Sequence, residues 1–93
     1  IQLRSNSHNN TVTRNTVTNS GRFGISSIPY QYGADPGYDV VAPANNVIAR
    51  NSVSGSGVFD LFAQSAPGFQ GGDGINDLWS ANTFGTKNRP GLR

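Results

Sequence analysis

Apolar and polar positions alternate over short stretches of this chain, and the alternation comes in copies. Asn15 opens one copy, with Val17, Gly21, Phe23 and Ile25 following. Asn51 opens a second, with Val53, Gly57, Phe59 and Leu61 at the same offsets, and Asn82 opens a looser third with Phe84 and Leu92. Five positions before each Asn stands another polar residue, Asn10, Asn46 or Asp77, and between the two lies an apolar one, Val12, Ile48 or Trp79. Period-two alternation rich in Val, Ile, Thr and Phe predicts short, half-buried strands. Such strands are too short to make a domain as hairpins. Stacked copy on copy, they become parallel neighbours about 4.8 Å apart. The spacing of the copies lies in the range where stacked repeats are expected.

The pattern predicts three parallel sheets. Residues near 11–14, 47–50 and 78–81 form one, residues near 16–18, 52–54 and 83–85 a second, and residues near 1–3, 23–28, 58–63 and 90–92 a third. The core becomes a set of columns: Val12, Ile48 and Trp79; Val17, Val53 and Phe84; Phe23 and Phe59; and Ile1, Ile25, Leu61 and Leu92. Asn15, Asn51 and Asn82 fall at bends, where Asn tolerates left-handed backbone angles. Their amides both donate and accept, so stacked copies bond to one another as a structural ladder.

The strings Asn10-Thr-Val-Thr-Arg-Asn-Thr-Val17 with Gly24-Ile25, and Asn46-Val-Ile-Ala-Arg-Asn-Ser-Val53 with Asp60-Leu61, carry a family resemblance. They resemble the right-handed parallel β-helix repeat of the pectin-lyase-like superfamily. The stretch from Asn76 to Gly85 is similar to the last coil of NosD-like members and of some alginate epimerases. The resemblance covers nearly the whole chain. It implies an all-β solenoid of three to four coils with two inserted loops. That superfamily holds lyases, hydrolases, epimerases, adhesins and inert shafts, so the resemblance speaks to fold more than to activity.

Ninety-three residues allow a single domain, residues 1–93. With strand pattern running to both ends, it is expected to be the C-terminal coils of a longer protein or a unit of an assembly. The open ends would then meet further coils or a like chain. Cysteine is absent, which excludes a disulfide framework and thiol chemistry. No apolar stretch is long enough to span a bilayer, so no membrane partner is expected. Richness in Asn, Ser, Thr and Gly suits many surface bends and a secreted or cell-surface setting. The formal charge is +2, with Arg4, Arg14, Arg22 and Arg50 scattered and Lys87, Arg89 and Arg93 near one another. Nucleic-acid binding needs a basic stripe with stacking aromatics. Here most aromatics fall in core columns, and no nucleic-acid partner is expected.

The two insertions, residues 29–45 and 64–75, leave after equivalent strands and belong on one side of the stack, a common binding side. Tyr30, Tyr32 and Tyr38 stand beside Asp35 and Asp39 in the first. Tyrosines beside carboxylates suit sugar rings, and they also suit a small core under the loop itself. With Asp60 and Phe62 on the neighbouring strand they make the candidate ligand-binding set; if the chain belongs to a polysaccharide lyase or epimerase, Arg4, Arg22 or Arg89 would face the carboxylates of an acidic glycan. The second insertion holds one copy of a calcium-nonapeptide-like string, which makes Asp73, Asn76 and Asp77 a weak calcium candidate. No cofactor is otherwise implied. The single histidine, His8, lies in a polar run read as a loop. Asp60, stacked between Gly24 and Gly91, is one carboxylate and not a glycosidase pair. No catalytic constellation is legible. The expectation is a structural or carbohydrate-facing β-helix module. The alternative is the C-terminal part of a polysaccharide lyase or uronate epimerase.

Overall fold

A computed structural model describes residues 1–4, 7–28, 30–31, 40–41, 43–64 and 77–93, with backbone alone at 30–31 and 40–41. The described residues are all-β, with no helix among them. In chain order the strands are β1 (Gln2–Arg4), β2 (Thr11–Thr13), β3 (Thr16–Thr18), β4 (Phe23–Ile28), β5 (Tyr30–Gln31), β6 (Val40–Val41), β7 (Val47–Ala49), β8 (Ser52–Ser54), β9 (Phe59–Ala63) and β10 (Leu78–Ser80).

The long-range pairing is parallel. One sheet runs β1-β4-β9, a second β2-β7-β10, and a third joins β3 to β8. Val12 lies opposite Ile48, which lies opposite Trp79. Val17 lies opposite Val53. Phe23 lies opposite Phe59, and Ile25 opposite Leu61. These registers bring like residues of the sequence copies side by side. A one-residue slip would turn every buried Val and Ile outward, so the alternation itself holds the register. Thr83 extends the third sheet by a parallel bridge to Ser52. Residues 29–45, expected as a loop, include a short antiparallel pair, β5 with β6.

The core is one cluster of Leu3, Ile25, Ile48, Val53, Leu61, Ala63, Trp79 and Leu92, with Val12, Val17 and Phe84 packed on it. Each fully buried aliphatic contributes about 1.5–3 kcal/mol. The column of Ile1, Ile25, Leu61 and Leu92 differs from the sequence expectation at both ends. Ile1 stays 46% exposed while Leu3, opposite Ser27, is the buried residue of β1. Leu92 is fully buried but does not extend β9. That place belongs to residues 86–88, where Lys87 bridges Leu61. The peptide N–H of Leu61 donates to Thr86 and that of Asn88 donates to Leu61. The reason is Pro90, which has no N–H for a ladder. The chain turns there and returns Leu92 to the core from a turn.

The bends also differ in detail. Arg14, Arg50 and Ala81, each just before a ladder Asn, take the left-handed angles, with φ of 57°, 59° and 54°. Asn15, Asn51 and Asn82 do not. A ladder Asn must direct its amide at the next strand, so the turn falls on its neighbour. Asn9, Asn45, Asn19 and Gly55 occupy the other left-handed positions among the described residues.

Candidate functional site

The ladder residues come together. Asn15 Nδ2 donates to Asn51 Oδ1 at 3.0 Å, and Asn51 Nδ2 to Asn82 Oδ1 at 2.9 Å. Each acceptor oxygen also takes the backbone N–H of the Asn below. Asn51 Nδ2 donates a second bond to the Val12 carbonyl, and Asn82 Nδ2 to the Ile48 carbonyl. A parallel ladder runs Asn10, Asn46, Asp77. Asp77 ends it with acceptors alone: Oδ1 takes both Asn46 donors, and Oδ2 takes the Ser27 hydroxyl at 2.7 Å. Asn46 and Asn51 are buried, and satisfaction on both sides is what makes a buried amide tolerable.

Asp60, expected on the ligand face, is buried within the fold instead. Its Oδ2 accepts from the N–H groups of Gly85 and Thr86, at 2.8 and 3.1 Å, and its Oδ1 from that of Ser56 at 3.1 Å. Gly24 lies beside it as expected, but Gly85 and Thr86, not Gly91, complete its surroundings. A Cβ at Gly24 would collide with the Val53 methyl and the Asp60 carbonyl, so this corner needs glycine. Burial raises the Asp60 pKa, while the adjacent Ser56 hydroxyl and the N–H groups of Gly85, Ser56 and Thr86 lower it by more. The Ser56 hydroxyl sits there without a well-formed bond of its own. The net result is a carboxyl held below its ordinary range. Asp60 therefore serves as a corner brace.

Phe62 does face outward, into an open groove of about 460 Å³ on the outer side of the β1-β4-β9 sheet. Arg4, Arg22, Gln2, Gln64, Phe23 and Ser26 line the same groove. Ser26 lies opposite Phe62. Its small side chain leaves room for the Phe23 ring, which stacks on Phe62 at 4.0 Å between centroids and 16° between planes. The Phe59 ring follows at 6.2 Å from Phe62. The Arg22 guanidinium stands 5.1 Å from the Phe23 centroid. The sequence pattern places Phe23 in a core column. The signal against that reading is the small Ser26 facing the large Phe62, which asks for a second large ring.

Of the three arginines expected near a glycan, Arg4 and Arg22 line this groove. Arg89 donates to the Ala63 carbonyl at 2.7 Å and closes the end of β9 together with Asn88. Tyr30 lies in β5, while Tyr32 and Tyr38 fall outside the described residues. Asp73 and Asn76 also fall outside them, and Asp77 ends the ladder. Among the described residues no three His, Cys, Asp or Glu side chains gather as a metal site. His8 is exposed, and its backbone bridges Ala44 in parallel. Neither a protein-family model, nor a curated protein, nor a solved structure matches the chain.

Proposed function

We propose that the chain is a segment of a right-handed parallel β-helix of the pectin-lyase-like kind, serving as a structural, carbohydrate-facing module of a secreted or cell-surface protein. The helical reading rests on three parallel sheets that each take one strand from successive stretches of the chain. Its hand follows from the strong right-handed preference of parallel crossovers. The open edges of β2 and β3 would receive further coils or a like chain.

The observation that carries the carbohydrate reading is the groove beside Phe62. It combines two guanidiniums, two carboxamides and a stacked pair of phenyl rings. Rings offer a flat apolar face to a sugar, amides bond hydroxyls, and guanidiniums pair with carboxylates in a bidentate way. The ligand class is thus an acidic polysaccharide. The described lining supplies binding chemistry. In a second reading the same groove continues that of a polysaccharide lyase or uronate epimerase whose catalytic groups lie in other coils.

Titration with alginate, pectate and a neutral glucan tests the proposal. Saturable binding to the acidic polymers, weakened about tenfold by Arg22→Gln or Phe62→Ala, is the expected result. Equal affinity for the neutral glucan would refute the acidic class. Appearance of unsaturated or epimerised uronate products during the titration would move the assignment to the second reading.

A further inference from the structure

The left-handed bend residues are not chosen alike. Four of the seven described are Asn or Gly, the types that enter this region at least cost. Two of the others are arginines, Arg14 and Arg50, at φ 57° and 59°. For a side chain with a Cβ that conformation is unfavourable. The two follow Thr13 and Ala49, which are paired in register. Their backbones are therefore one strand spacing apart, about 4.8 Å. Both side chains are exposed, and both line a second open groove of about 490 Å³ on the outer side of the β2-β7-β10 sheet. Thr13, Val47, Ala49 and Ser80 complete its lining. This groove lies on a different sheet from the one beside Phe62 and shares no lining residue with it.

Two like charges on neighbouring strands repel one another. Among the described residues the two carboxylate side chains are committed elsewhere, Asp60 to its corner and Asp77 to the ladder. The same angle recurs at Ala81, so the bend sets the backbone; what sets these two positions apart is that both carry an exposed guanidinium on one groove. We infer that Arg14 and Arg50 form an oxyanion site, which takes a sulfate or carboxylate group between the two guanidiniums, with the Thr13 and Ser80 hydroxyls at its rim. The anion converts the repulsion into charge-assisted hydrogen bonds. The group could be a free small anion or a substituent of an anionic polymer, and both present the same oxygens.

The test is titration of the chain with sodium sulfate against sodium chloride at equal ionic strength, followed by amide chemical shifts. Saturable shifts at residues 13–15 and 49–51 in sulfate alone are expected. Arg14→Asn and Arg50→Asn keep a residue that accepts the left-handed angle, so folding is retained. Each should weaken binding about tenfold or more. Arg22→Gln, in the other groove, should leave the sulfate response unchanged. Identical responses to sulfate and chloride, or undiminished binding by both Asn variants, would overturn the inference. A repeat with a sulfated and a carboxylated polysaccharide separates the sources. Polymer binding that exceeds free sulfate and is lost in Arg50→Asn assigns the site to a polymer, and binding of free sulfate alone assigns it to a small anion.

Discussion

At the Asn15–Asn51–Asn82 bend one bond repeats: the Asn15 amide donates to the Asn51 oxygen, and the Asn51 amide to the Asn82 oxygen. At the Asp60 corner, one carboxylate collects N–H groups from three residues that have no counterparts among themselves, Ser56, Gly85 and Thr86. Both devices satisfy backbone groups where a strand ends. The ladder does so by repetition and extends to any number of coils. The carboxylate has no donor to pass on, so it closes its corner where the third copy becomes irregular. Asp77 plays the same closing part on the second ladder. An amide propagates a stack and a carboxylate terminates it.

The largest expected effect comes from the middle of the ladder. Asn51→Ala removes two donated and two accepted bonds from a site 1% exposed. It should destabilise by about 3 kcal/mol in urea denaturation, against about 1 kcal/mol for the half-buried terminal Asn15→Ala. Equal losses at the two positions would show that the ladder is not a chain of mutually dependent amides.

Asp60→Asn puts an NH₂ against peptide N–H groups and should cost about 2 kcal/mol. It also carries a pH signature. Because the folded pKa is lowered, the stability from ionised Asp60 is fully present above the unfolded carboxylate pKa. It is lost as pH falls through the folded value, below about pH 4. The variant should flatten that part of the acid limb. An unchanged limb would remove Asp60 as the brace of this corner.

The smallest effect has the opposite sign. Ala81 holds φ 54° beside Asn82 without a side chain suited to it. Ala81→Gly should stabilise by about 1 kcal/mol, read as a raised midpoint in the same denaturation. A loss of stability would mean that the bend is held by something other than backbone preference.

Much of this was legible because a stacked pattern makes long-range neighbours look alike. Val17 lies against Val53, and Asn15 against Asn51, so the pairing of residues far apart in sequence could be read from their likeness. The same logic failed wherever a residue meets something unlike itself. Leu92 aligns with Leu61 by type, yet Pro90 diverts the strand and Lys87 takes the place. The pattern alone assigns Asp60 to the ligand face, because its partners at 85 and 86 lie in the degenerate third copy. Phe23 matched the core by period, yet the void left by Ser26 draws its ring onto Phe62.

Alternation and identity thus suffice for the stacked strands, their parallel registers, the buried Ile and Val columns and the Asn15–Asn51–Asn82 ladder, since each depends on an interaction between equivalents. The residue that bends the chain, the carboxylate that closes a corner and the two arginine-lined grooves depend on shape. They are set by which backbone angles a closing turn demands and which small side chains leave space across a sheet. Those quantities exist once the stack is assembled in three dimensions.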